Sequence, residues 1–184
     1  RTNGFSAASE STGNTESDGY TRENYNFKTS YSFSDASDVE GIFRYTKTKT
    51  DLDTTGGPGG DDPNNRGDGK SLVTGIKAIH QISSRLESTT SAFYGENERL
   101  NINDADSVHL FDSRDYFLSE SAKVENRSKY EFDSLNSFYL DIQYKGETGF
   151  SDSTRNNVET NISRKEQNTL GGALTYAYTS EVFF

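Results

Sequence analysis

Cysteine, methionine and tryptophan are absent from this 184-residue chain, and proline occurs only twice. Without cysteine there is no disulfide framework and no thiolate to serve as nucleophile or metal ligand. The scarcity of proline argues against a disordered chain. No apolar run approaches the roughly 18 residues of a membrane-spanning helix, which excludes a helical membrane protein. A basic excess is also missing: 19 Lys and Arg stand against 29 Asp and Glu, a net charge of −10. That balance argues against nucleic-acid binding, which needs basic patches. Hydrophobic residues make up only 30% of the chain, too few for an ordinary soluble core. Low hydrophobicity with high net charge leans toward disorder, but aromatics at 12% and sustained alternation oppose it. With no initiator methionine and no signal peptide at its start, the chain is expected to be an internal piece of a longer protein.

What is present is organised around residues 22–50. From Glu23 to Phe33 the sequence alternates almost without error. Tyr25, Phe27, Thr29, Tyr31 and Phe33 fall on one face; Asn24, Asn26, Lys28, Ser30 and Ser32 fall on the other. Such a period of two places one face of a β-strand in an apolar medium and the other in a polar one. A turn over Asp35–Asp38 leads to a second strand with Val39, Gly41, Phe43 and Tyr45 on one face. Glu40, Arg44 and Thr46 oppose them, and Ile42 is the one intruder. Strands of a soluble sandwich run about five or six residues, whereas a tilted strand crossing a bilayer needs about 9–11. Both strands here reach that length, with Tyr at each end of the apolar face as in an interfacial girdle. The fold expected is all-β: an antiparallel up-and-down transmembrane β-barrel.

Further strands are predicted at about 70–82, 89–101, 119–132 and 138–150, and a seventh over the run containing Leu170, Leu174, Tyr176 and Tyr178. An eighth would begin at Val182. Long polar segments at 1–20, 51–69, 102–118 and 151–161 alternate with short turns. That rhythm matches long extracellular loops on one side of a barrel and short periplasmic turns on the other. Lys28, Glu40, Arg44, Asp141, Lys145 and Glu147 sit on the polar faces and would line a lumen.

Enzymatic motifs are missing. GGPGG at 56–60 lacks the Lys-Ser/Thr of a phosphate loop, and there is no nucleophile elbow. His80 and His109 are far apart, without cysteine or a paired histidine, so spacing gives a zinc site no support. Asp62 to Asp68 echoes a calcium loop without the full EF-hand spacing.

G-F-S-A-A-S-E and G-N-T-E-S-D-G-Y, within residues 4–20, resemble an early extracellular loop of TonB-dependent receptors of the vitamin B12 (cobalamin) type. R-Y-T-K-T-K-T-D-L-D at 44–53 and D-D-P-N-N at 61–65 resemble that family's next hairpin. The resemblance spans most of residues 1–184. It implies a bacterial outer-membrane barrel of 22 strands, of which seven to eight are present here. It also implies an N-terminal plug worked by TonB, and import of a scarce small-molecule nutrient such as cobalamin or a ferric siderophore. By the same resemblance, calcium would be held by the loop carboxylates Glu16, Asp18, Asp51 and Asp53 with Asp61 or Asp62. One of the family's paired aspartates is Glu16 in this chain. Calcium takes six to eight oxygens from flexible loops. The alternatives are a complete eight-stranded barrel with a structural or adhesive role, and a soluble secreted β-sandwich.

Overall fold

The computed structural model of the chain describes residues 19–52, 62, 64–107 and 109–179. These form one antiparallel meander of seven strands in the order β1-β2-β3-β4-β5-β6-β7. The strands are β1 (Tyr20–Ser34), β2 (Ser37–Asp51), β3 (Asn65–Ser83), β4 (Leu86–Asn103), β5 (Ser113–Glu131), β6 (Asn136–Arg155) and β7 (Val158–Tyr178). The all-β, up-and-down expectation holds. The sheet is open, with β1 and β7 as its edges.

The strands are longer than the alternation suggested, at 15 to 21 residues. The third begins at Asn65, inside the predicted loop 51–69. The fifth begins at Ser113, inside the predicted polar segment 102–118. The first extension is polar on both faces, and the second starts so at Ser113–Asp115, so no period of two announces either start. Their backbone is secured by ladder pairing to a neighbour, which does not depend on side-chain polarity.

The predicted loop at 151–161 is overturned. β6 runs on to Arg155 and β7 starts at Val158, joined by Asn156 and Asn157 alone. Both asparagines hold the left-handed backbone, φ 50° and 59°, as a type I′ hairpin demands. Asn tolerates that conformation better than other residues with a side chain. The Asn156 amide also donates to the Asp112 carbonyl at 3.1 Å, pinning this tip to the β4–β5 connection. The loop side of the sheet therefore carries two longer connections and one tight hairpin. The eighth strand predicted at Val182 lies outside the described residues.

At the opposite rim the β5–β6 turn is organised by Asp133. Its Oδ1 accepts from the Leu135 and Asn136 amides, each at 2.9 Å. The Leu135 amide first, and then the Asn136 side chain, hold the Asp133 carboxyl below the ordinary carboxylate range. A depressed folded-state pKa contributes stability above the unfolded value and loses it as pH falls through the folded one. Asp133→Ala is thus expected to weaken this hairpin at neutral pH and to flatten the acid limb of the stability profile. Urea titrations between pH 3 and 7 read this; equal acid slopes in parent and variant would refute it.

Directly opposed residues share a face, so the registers define two faces across all seven strands. One carries Phe27, Phe43, Ile76, Val124, Leu140, Ile142, Leu170 and Leu174. Among the described residues nothing covers it: Phe27 is 64% exposed, Ile76 53% and Ile142 50%. Aromatic rings bound it. Tyr25, Tyr45, Tyr94 and Tyr144 lie toward the loops; Tyr31, Phe33, Tyr130, Phe138 and Tyr176 lie toward the turns. Several of its polar groups satisfy one another. Asn126 Nδ2 donates to Ser88 Oγ and Thr90 Oγ1, both at 2.8 Å, and Ser128 Oγ donates to Asn126 Oδ1 at 3.0 Å.

The apolar band crosses the sheet obliquely. A single row of partners runs Tyr25, Tyr45, Leu72, Glu96, Glu120, Thr148, Glu166. It starts on the ring of aromatics in β1 and ends among charges in β7. The rim of turns slants the same way: Asp38 in the second position of β2 aligns, strand by strand, with Asp141 in the sixth of β6. Band and rim stay together while the strands tilt against both.

Candidate metal centre and polar hollow

At the loop end, the β2–β3 and β4–β5 connections meet. Asp62 comes from the first, and its side chain is completely buried, 0% exposed. Asp106 and His109 come from the second. One ligand atom from each of the three lies within 4.8 Å of the others. His109 Nδ1 stands 3.5 Å from Asp106 Oδ2 and 3.8 Å from Asp62 Oδ2.

Local structure fixes each member. The Asp106 amide donates to the His109 carbonyl at 2.7 Å, and the His109 amide donates to Asp106 Oδ1 at 2.6 Å. This small reciprocal turn presents imidazole and carboxylate side by side. Asn65, at the start of β3, donates its amide to the Asp62 carbonyl at 3.0 Å. Asn103, at the end of β4, donates its side-chain amide to Asp62 Oδ2 at 2.7 Å. Asn64 Nδ2 reaches Asp106 Oδ2 at 3.4 Å. Two carboxylates and an imidazole in one partly desolvated place are donors suited to a divalent cation.

Of the residues expected to hold calcium, Glu16, Asp18, Asp53 and Asp61 lie outside the described residues. Asp51 is described, and it serves the sheet: its Oδ2 accepts from the Gly19 amide at 3.1 Å, and its own amide donates to the Gly19 carbonyl at 2.9 Å. Asp62 is brought together with Asp106 and His109, not placed in a purely acidic set. Sequence reasoning dismissed His109 because it looked for a second histidine or a cysteine nearby. The signal it lacked was the opposing loop, since Asp62 and His109 are 47 positions apart.

The second feature is a hollow of about 710 Å³ on the polar face, lined among others by Lys77, Ser91, Phe93, Glu125, Arg127 and Asp141. Lys28, Glu40, Arg44, Asp141, Lys145 and Glu147, expected on the polar sides, all share this face. Arg127 meets Asp141 through two hydrogen bonds, Nε to Oδ1 at 2.6 Å and Nη2 to Oδ2 at 3.2 Å. Ser91, nearly buried, donates to Glu125 Oε1 at 2.9 Å. Lys77 and Glu40 lie 3.6 Å apart. The hollow is thus lined by paired charges of both signs, a surface for polar solutes or a polar partner.

No protein-family model matches the chain, and no curated protein matches it either.

Proposed function

We propose that this chain forms part of the barrel wall of a TonB-dependent outer-membrane receptor that imports a scarce nutrient, cobalamin or a ferric siderophore. The observation that carries the reading is the slanted apolar band. A barrel in a bilayer needs strands tilted by roughly 35–45°, an outward apolar belt about 25 Å tall, and aromatic girdles at both of its interfaces. An uncovered belt that follows the rim of turns rather than the strand normal is what a tilted wall in lipid requires. A soluble sheet has no such constraint.

Strand length supports the same reading. At about 3.3 Å per residue, strands of 15 to 21 residues exceed the belt even when tilted. The excess lies on the loop side, where the uncovered face gains charges at Lys70, Glu96, Glu98 and Glu120 beside Leu118, Tyr116 and Phe150. The polar face would then line the lumen, in contact with a plug and the passing solute. Calcium on the first-loop acidic pair and TonB acting through a plug belong to the same proposal. The unpaired edges of β1 and β7 would be closed by further strands, because lipid does not tolerate open ladders.

Two measurements test this. Outer-membrane fractionation combined with heat-modifiable migration on denaturing gels is expected to place the protein in the outer membrane as a folded barrel. Recovery in a soluble fraction without detergent would overturn the membrane reading. Growth on limiting cobalamin or siderophore-bound iron, with and without the gene, then tests import. Growth that depends on neither the gene nor TonB would refute the receptor reading and leave the barrel standing.

A further inference from the structure

We infer that the Asp62–Asp106–His109 cluster binds a divalent transition-metal ion of the zinc class and thereby clasps the β2–β3 connection to the β4–β5 connection. This does not depend on the receptor reading, since it rests on the geometry where two connections meet.

The donor set separates this ion from calcium. Calcium takes six to eight oxygen ligands at 2.3–2.6 Å, and the cluster offers an imidazole nitrogen with two carboxylates. Imidazole with carboxylate suits zinc and its neighbours in the first transition row. Charge agrees: two carboxylates beside a neutral imidazole carry −2, which a divalent ion cancels. Distance agrees as well. Zinc bonds of about 2.0–2.1 Å at tetrahedral angles place neighbouring ligand atoms about 3.3 Å apart. His109 Nδ1 is 3.5 Å from Asp106 Oδ2 and 3.8 Å from Asp62 Oδ2. The first is a long hydrogen bond, and both separations come near the edge of a tetrahedral shell.

The surroundings hold the ligands in place, as outer-shell partners of metal sites do. Asn103 anchors Asp62 Oδ2 at 2.7 Å, and the His109 amide anchors Asp106 Oδ1 at 2.6 Å. The second carboxylate oxygen of Asp106 is left on the side of the imidazole. Asn103 Oδ1, on the amide that anchors Asp62, is shut off from solvent and has no hydrogen-bond partner among the described residues. Three protein ligands would leave a fourth tetrahedral position to water.

The test uses the protein purified in detergent, with Zn²⁺ as the probe, dialysed and quantified by elemental analysis. One tightly held zinc per chain is expected, resistant to a large excess of calcium. His109→Ala is expected to weaken binding more than about tenfold, since even second-shell losses cost 10–100-fold, while His80→Ala leaves it unchanged. His80 lies far away on β3, bonded to Ser37. Displacement by equimolar calcium, or equal binding in parent and His109→Ala, would overturn the proposal. A spectroscopic reading avoids reliance on a variant that could misfold at the site. The chain has two histidines, so in His80→Ala the only imidazole is His109. Cu²⁺ bound to that protein is expected to show electron spin-echo modulation from a remote imidazole nitrogen; its absence would likewise refute the site.

Discussion

Leu140→Arg is expected to destabilise the folded protein by about 2–4 kcal/mol in a phospholipid bilayer, the cost of a cation near the midplane of a barrel's lipid face. Leu140 lies in β6 between Phe138 and Ile142 on the uncovered apolar face, opposite Leu174. Phe33→Arg, on the same face but beside the rim of turns, is expected to cost only about 0–1 kcal/mol, because the arginine reaches the interface. Gln143→Arg, on the polar face, should stay within about 0.5 kcal/mol of the parent. Urea unfolding from vesicles measures all three. The gradient with depth is the discriminating result. If Leu140→Arg and Phe33→Arg cost the same, the face is not buried in lipid, whatever else covers it.

Gly75→Val is expected to cost about 1–3 kcal/mol through overpacking. Gly75 faces Phe93 across the β3–β4 ladder, and the ring lies over the glycine on the polar face. A Cβ at residue 75 would fall 2.2 Å from Phe93 Cδ1 and 2.6 Å from Cε1, with the Ala92 carbonyl 3.1 Å away. A phenyl ring is rigid, so it must rotate out of its place beside the hollow rather than give way. An aromatic laid over a strand glycine restores packing that the missing side chain removes. The two positions should therefore be coupled. Phe93→Ala alone strips that cover, and Gly75→Val added to it should cost much less than in the parent. A double-mutant cycle by urea unfolding reads the coupling. Strict additivity would mean that the ring does not rest on Gly75.

How far the chain could be read in advance follows from where side chains carry a period. In β1, the first part of β2 and the start of β6, one face is apolar over many residues, and the strands stand out unaided. Where both faces are polar, as in Asn65–Gly69 and Ser113–Asp115, the ladder alone makes the strand and no pattern announces it. The Asn156–Asn157 hairpin was missed for a related reason. Its flanks, Ser151–Arg155 and Val158–Asn161, are polar in the way of a loop, and only the paired left-handed asparagines reveal a turn.

The sequence by itself determined the all-β class, the absence of a spanning helix, the two-faced character of the strands and the residues of the polar face. These are local properties, written in residue type and a period of two. Tertiary structure alone decided the rest. Strand-to-strand register slants the apolar band along the rim of turns, and register is a relation between strands that no single strand contains. Pairing also brings two connections together so that Asp62 meets Asp106 and His109, a site assembled across the sheet because β3 and β4 bring their ends to one rim.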